Sequence, residues 1–406
     1  MSSTTITAPP RSAPGAHYLL ELEGLRALAA VAVLLTHAGF LSGATSRSIL
    51  PGFLARMDIG VAVFFVLSGL LLYRPHARRL VLGDPPPDRR SYAIRRAARL
   101  VPAWLAVLLG TLVLVPESRT AGSTVWVANL LQLQSLRMQW DIPGLSQLWS
   151  LSTEVMFYIA LPFLALLLAR IAARGGPRRH LMALLGVACG SWLFRAAVGF
   201  GLLPEGFSWA RTLPAVADWF VVGMVLAVIT SDESLRRPVA GVVRAVPWHL
   251  YGLAACVFWV LTTRAAGPYD LAFPTAGAES FKHLGYTLVA ALVVIPSALG
   301  AHTLVSRVLA HPVLTYVGTV SYGLFLWHLP VMFAVRRILG LGLFDSGFWI
   351  TVVLTLSASL LIASLSWYLL EAPIQAWARR RTGGGIGGPA PGPRRDDRHE
   401  QERQPS

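Results

Sequence analysis

The chain has 406 residues, 54% of them hydrophobic and 14% charged, and a formal net charge of +15 at pH 7 carried almost wholly by arginine. Soluble domains carry about a quarter charged residues, so this composition excludes an ordinary soluble globular protein and indicates a membrane protein. A soluble chain with such a basic excess would suggest nucleic-acid binding, but here the basic residues sit in the loops and no nucleic-acid partner is expected.

In chain order, residues 1–20 form a polar arm that lacks the charged-then-apolar layout of a cleaved signal peptide, so the first span is expected to be retained. A span needs roughly 20 largely apolar residues. Runs that meet this requirement lie at 22–41, 59–73, 99–116, 149–170, 181–202, 212–230, 247–263, 284–301, 312–334 and 347–371. Pro75 is positioned to close the second run, and Gly323 and Pro330 to interrupt the ninth. If both termini are cytoplasmic, the inward segments hold 24 of the 35 Arg and Lys residues and the outward ones nine, with Arg26 and Arg195 in or near spans. That asymmetry supports an even number of spans with both ends inside. Arg336 and Arg337 are discordant, falling at the outer end of the ninth span.

The expected fold is therefore an all-α polytopic membrane protein of about ten transmembrane helices, with both termini cytoplasmic, in the cell inner (plasma) membrane. A membrane domain spans 21–373 and a basic, disordered tail occupies 374–406. The longest outward loop, 117–148, has room for a short re-entrant or interfacial element but not for a core of its own. Cys189 and Cys256 lie in apolar runs, suggest neither a disulfide framework nor a metal site, and are expected to be buried fillers.

Several polar groups interrupt the apolar frame. Glu23 and Arg26 are three residues apart on one face of the first span, suited to an ion pair. An interfacial salt bridge accounts for them as well as a site does. His37 lies about 16 Å further along the helix, near its outward end, where its near-neutral titration suits it to take a proton from a hydroxyl. A packed, satisfied histidine is the competing reading. In GVAVFFVLSGLLLY, residues 60–73, small Ser68 and Gly69 permit close helix approach.

Arg95, Arg96 and Arg99 precede the third span, with Arg96 and Arg99 on one face. They read either as positive-inside anchors or as a phosphate clamp, because guanidinium groups match phosphate oxygens in a fixed fork. Ser150, Ser152 and Glu154 lie at the mouth of the fourth span, and a buried Glu154 would need a polar partner. Tyr322, Trp327 and His328 share the ninth span, as interfacial anchors or as part of an acceptor-binding surface. No GxSxG elbow, HExxH zinc pattern or GxxxxGK[ST] loop is present, so any chemistry comes from polar residues dispersed over separate helices.

Seven segments in order, EGLRALAAVAVLLTH at 23–37, DIGVAVFFVLSGLLL at 58–72, RRAARLVP at 95–102, LWSLSTEVMFY at 148–158, FVVGMVLA at 220–227, YVGTVSYGLFLWH at 316–328 and EAP at 371–373, resemble the acyltransferase-3 family of integral membrane O-acyltransferases. The resemblance implies a ten-span bundle that moves an acyl group from cytoplasmic acyl-CoA, typically acetyl-CoA, to a hydroxyl. It maps the central catalytic residue onto His37, with Glu154 as the first acid of the fourth-span motif. Arg26, Arg95, Arg96 and Arg99 map onto the donor-binding arginines. Val155 stands where many relatives carry a second acid, and Glu23 replaces a frequent Asp. Glu23, Ser150, Ser152, Tyr322 and His328 are left as acceptor-binding or structural residues, and no metal is expected.

The expected acceptor is a cell-envelope glycan or glycolipid, with a small secondary metabolite such as a macrolide sugar as the alternative. Expected partners beyond the acceptor are membrane lipids. A proton-coupled transporter using His37, Glu154 and Arg26 is the competing class, and no repeated half supports it.

Overall fold

A computed structural model describes residues 16–47, 51–86, 88–173, 175–270 and 272–383. The long helices are α1 (Ala16–Ser42), α2 (Gly60–Leu82), α3 (Arg89–Leu114), α4 (Trp149–Ala172), α5 (Gly176–Gly199), α6 (Leu213–Ser231), α7 (Glu233–Ala245), α8 (Pro247–Leu261), α9 (Ala276–Ala298), α10 (Pro312–Thr319), α11 (Ser321–Ile338), α12 (Phe348–Ser366) and α13 (Ala372–Arg381). A π-helical turn, Trp367–Glu371, joins α12 to α13. The expected disordered tail, 374–406, begins inside α13, which is helical to Arg381; residues beyond 383 and the first fifteen of the polar arm lie outside the described residues. Within 117–148 the chain makes the helix Ser123–Leu130 and several 3-10 turns.

Eight of these segments are long and apolar enough to cross a membrane singly, and two bent pairs bring the number to ten. The pairs α7–α8 and α10–α11 bend by 75° and 71°. The seventh expected run, 247–263, coincides with α8, and α7 precedes it across the bend; the ninth, 312–334, is divided between α10 and α11.

The prolines act differently from the sequence expectation. Pro75 does not close α2, which runs on to Leu82 and stops at Gly83, whose φ of +74° makes it a left-handed cap. The break in the ninth span falls at Val320, not at Gly323 or Pro330. Pro330 lacks the N–H that Leu326 O would accept in a helix. Gln147 Nε2 donates to that carbonyl instead, at 2.9 Å. The same repair recurs at Pro162, where Tyr92 Oη donates to Tyr158 O at 3.2 Å. In an apolar medium an unpaired carbonyl costs several kcal/mol, so these side chains let α11 and α4 run straight through their prolines.

Helices α2 and α6 form the centre, with 67% of the most apolar stretch of each buried, against 17% for α5 at the periphery. Their approach rests on two glycines. A Cβ on Gly69 would lie 2.1 Å from Phe220 O, and one on Gly223 would lie 2.0 Å from Val66 O. Phe65 and Phe157 stack on either side of this crossing against Phe220, with centroids at 4.5 and 4.1 Å. Cys189 and Cys256 are exposed on α5 and α8 rather than buried, because both helices present these faces away from the core.

The discordant arginines are paired. Arg336 is 4% exposed and donates to Thr351 Oγ1, Gly342 O and Asp345 O, while Arg337 pairs with Glu117. A second polar cluster ties α5, α6 and α9 together: Asp218 accepts from His283, Thr287 and Ser191, and Arg195 pairs with Glu279 at 3.3 Å.

Candidate active site

Between α1, α2, α3, α4 and α11 lies a cavity of about 130 Å³. Its charged lining is Arg26 from α1, Arg96 and Arg99 from α3, and Glu154 from α4. Glu154 Oε1 accepts hydrogen bonds from Ser68 Oγ at 2.7 Å and Tyr158 Oη at 2.6 Å. Arg26 meets Glu23 at 3.7 Å. The Arg96 guanidinium lies over the rings of Tyr92 and Tyr158, at 5.9 and 5.8 Å, and its buried Nε has no hydrogen-bond partner among the described residues. Glu371, buried in the π-helical turn, accepts from Ser366 at 2.9 Å and lies within electrostatic reach of Arg99.

Three guanidinium groups facing one lining carboxylate make the chamber electropositive. Such a chamber favours an anionic group that offers paired oxygens, a carboxylate or a phosphate, for which guanidinium is the matching donor. A second, mostly apolar hollow of about 540 Å³ between α3 and α4 shares Arg96, Leu100, Leu151 and Tyr158 with it.

The two histidines lie outside the lining of the charged cavity. His37 and His328 face each other with ring centroids 5.1 Å apart, and His328 Nε2 lies 3.2 Å from His37 Nδ1. His37 Nδ1 also lies 2.9 Å from Val33 O, and His328 Nδ1 lies 2.7 Å from Phe325 O. Phe325 links cavity and histidine pair, being both a wall of the cavity and the ring neighbour of His328 at 5.8 Å.

Of the residues singled out in the sequence, the fold brings Arg26, Arg96, Arg99, Ser150, Glu154 and Tyr322 to the cavity. His37 and His328 pair behind it. The fold does not join His37 to Glu154, whose hydrogen bonds go to Ser68 and Tyr158. Arg95 points elsewhere and donates to Thr382 Oγ1 at 3.1 Å. Ser152 is buried and donates to Gln132 Oε1 and Leu148 O. Tyr322 is no interfacial belt residue, since its hydroxyl donates to Leu100 O at 2.9 Å. His328, 1% exposed, is likewise a core residue and not an interfacial anchor.

Sequence reasoning missed Tyr158, Phe64, Phe325 and Glu371, and treated Ser68 as a packing residue only. One signal was present: Tyr158 follows Glu154 by four residues, on one helical face. Among the described residues no cluster of His, Cys, Asp and Glu side chains could hold a metal ion.

Fold and site together define a class: a multi-pass α-helical membrane protein with an arginine-lined chamber and a histidine pair that joins α1 to α11. Residues 19–369 match the model of the acyltransferase domain named acyltransferase-3, and the chain belongs to that family. It is similar to the peptidoglycan O-acetyltransferase OatA of Listeria monocytogenes, 27% identical over 379 residues, covering 88% of this chain and 56% of the relative. The putative peptidoglycan O-acetyltransferase YrhL of Bacillus subtilis is 26% identical over 381 residues, covering 88% and 55%. The O-acetyltransferase OatA of Staphylococcus aureus is 27% identical over 377 residues, covering 88% and 57%. The chain thus spans little more than half the length of the curated relatives it matches. No solved structure matches it.

Proposed function

We propose that this chain is an inner-membrane O-acyltransferase that takes an acyl group, acetyl by preference, from acyl-CoA and places it on a hydroxyl of a cell-envelope glycan or glycolipid. The observation that carries this reading is the arrangement of Arg26, Arg96 and Arg99 around one cavity, with His37 and His328 paired behind Phe325. Membership of the acyltransferase-3 family and similarity to proteins named peptidoglycan O-acetyltransferases support it.

Both termini are placed in the cytoplasm on the distribution of arginine. The α3 end that carries Arg95, Arg96 and Arg99 then faces the CoA pool. Binding sites for whole ligands run to about 300–1,000 Å³, so a cavity of about 130 Å³ takes only the thioester tip of the donor. The phosphates stay at the cavity's edge, against Arg96 and Arg99. Glu154, fixed by Ser68 and Tyr158, balances part of the guanidinium charge and keeps the chamber from holding the anionic donor too tightly.

In the chemical step the acceptor oxygen attacks the thioester carbonyl carbon while its proton moves to His37. The C–S bond then breaks, the sulfur leaves as thiolate, and the thiolate takes the proton from His37, giving an ester and free CoA. His37 contacts the acceptor hydroxyl and is the catalytic residue in this scheme.

The test is incubation of membranes carrying the full chain with labelled acetyl-CoA and envelope acceptor pools, followed by mass analysis of the products. The wild type should yield acceptor heavier by one acetyl group. H37A, inserted at normal abundance, should lose about 10²–10⁴-fold in rate, the usual worth of a general base. Full activity in H37A would sink the assignment of His37, and accumulation of unmodified substrate in vesicles would favour transport.

A further inference from the structure

We propose that His328 is a positioning residue for His37, fixing its proton on Nδ1 so that Nε2 faces the reaction as a bare base. The inference rests on the acyl-transfer reading above.

The argument begins with atoms that can only accept. Val33 O lies 2.9 Å from His37 Nδ1, and a carbonyl oxygen has no proton to give, so Nδ1 carries the hydrogen. Phe325 O lies 2.7 Å from His328 Nδ1, so that nitrogen also donates. In a neutral ring the other nitrogen holds a lone pair. His328 Nε2 is therefore an acceptor, and it stands 3.2 Å from the Nδ1–H of His37.

One proton pattern satisfies all three contacts. The opposite tautomer of His37 would set its Nδ1 lone pair against both Val33 O and His328 Nε2. Val33 O alone is a weak lock, because the same oxygen also accepts the main-chain N–H of His37 in the helix. His328 supplies the second acceptor from a ring 1% exposed, packed beside Phe325 at 5.8 Å.

The chemical consequence follows from the step given above. When Nε2 takes the acceptor proton, His37 becomes a cation in an apolar interior, which is costly without a partner. Its Nδ1–H then donates to a neutral imidazole nitrogen, and the contact becomes a charge-assisted hydrogen bond. Thiolate departure removes the proton from Nε2 and restores the starting pattern. His328 acts through His37 throughout and touches no reacting atom, much as the third member of a catalytic triad orients its histidine.

The test uses the full chain in nanodiscs with ¹⁵N-labelled histidine, acetyl-CoA as donor probe, and the variants H328L, H328Q and H328N. In the wild type, the His37 signals, assigned by their loss in H37Q, should report a protonated Nδ1 and a bare Nε2. H328L should convert them to a tautomer mixture and lower kcat by roughly 10–100-fold with donor KM unchanged. H328Q, whose amide oxygen can accept near the Nε2 position, should recover most of the loss. H328N, one carbon shorter, should not.

Wild-type kcat in an inserted H328L, recovery in neither amide variant, or a proton on Nε2 of wild-type His37 would each overturn the proposal. Should H328L fail to insert, the wild-type tautomer and the H328Q and H328N pair still decide it. If the wild type transfers no acetyl group to any envelope acceptor, the acyl-transfer reading fails while the ¹⁵N signals still report the histidine relationship.

Discussion

Phe64 packs edge-to-face against Phe325, with ring centroids 5.9 Å apart, and Phe325 in turn lies 5.8 Å from the ring of His328. Both rings line the cavity, and neither histidine does. On the proposed function, the Phe64–Phe325 pair would stand between a thioester held in the cavity and His37. An aromatic pair in that place would keep water from the donor, and exclusion of water is one way an enzyme prevents hydrolysis of an activated intermediate.

The first prediction follows from that barrier. Phe64→Leu keeps the site apolar and should cost less than about 1.5 kcal/mol of stability, while loosening the contact with Phe325. Release of CoA from acetyl-CoA without acceptor, followed with a thiol reagent, should rise relative to acyl transfer. An unchanged ratio in a stable F64L would show that the ring pair is not the barrier.

How far the sequence revealed this arrangement depends on the range of the interactions. The long apolar runs all became helical, the ninth as two helices, because twenty apolar residues have few other solutions in a bilayer. The bends near Val246 and Val320 were not legible, since they depend on packing between distant segments. Gly318 lets α10 lie on α1: a Cβ there would stand 2.0 Å from Glu23 O. The prolines misled for the same reason, as Gln147, which repairs the gap at Pro330, is 179 residues from the carbonyl it caps.

At the site, Arg96 and Arg99 could be read because residues three apart share a helical face. Spacing could not single out Arg95, which stands only about 40° from Arg99 on the helix, yet is drawn to Thr382, 287 residues away. His328 stands 291 residues from His37, and next to Trp327 it reads as an anchor. No local pattern could have paired the two.

The arginines give the second prediction. If Arg99 holds donor phosphate, Arg99→Ala removes a hydrogen bond to a charged group, worth about 1.5–3 kcal/mol. Donor KM should then rise about tenfold or more, with a smaller effect on kcat. Arg95→Ala should change donor KM little, because that side chain is engaged with Thr382. Equal effects at the two positions would point to general membrane-surface charge, and a titration of KM against salt with both variants would separate the cases.

A third prediction concerns pH and the loop between α3 and α4. Asp141 pairs with Arg211 at 2.8 Å, yet burial pushes its carboxyl above the ordinary value of 3.8, outweighing the lowering effect of Arg211. A raised folded value means that the fold binds this proton more tightly than the unfolded chain does. Its contribution is therefore fully present below pH 3.8 and is lost as pH rises through the folded value. The difference in thermal midpoint between wild type and Asp141→Asn, measured in detergent, should shift in favour of the wild type on acidification through that window. A shift in the other direction would mean that the ion pair, not burial, dominates at this residue.

The last prediction tests how the helix that bears His328 is held. Gln147 Nε2 is the donor that replaces the missing N–H of Pro330 at Leu326 O, two residues before His328. Gln147→Leu should strand that carbonyl and cost about 1–3 kcal/mol, with transfer falling as the His328 ring loses its alignment. Pro330→Ala offers the complementary change, because alanine restores the helical N–H to the same oxygen. Alone, P330A makes Gln147 redundant at that carbonyl and should alter little. Combined with Q147L it should recover much of the lost stability, giving a coupling energy of about 1 kcal/mol or more in a double-mutant cycle. Additive losses in thermal midpoint would mean that Gln147 acts elsewhere, and recovery of stability without recovery of transfer would separate the support of the helix from the placement of its histidine.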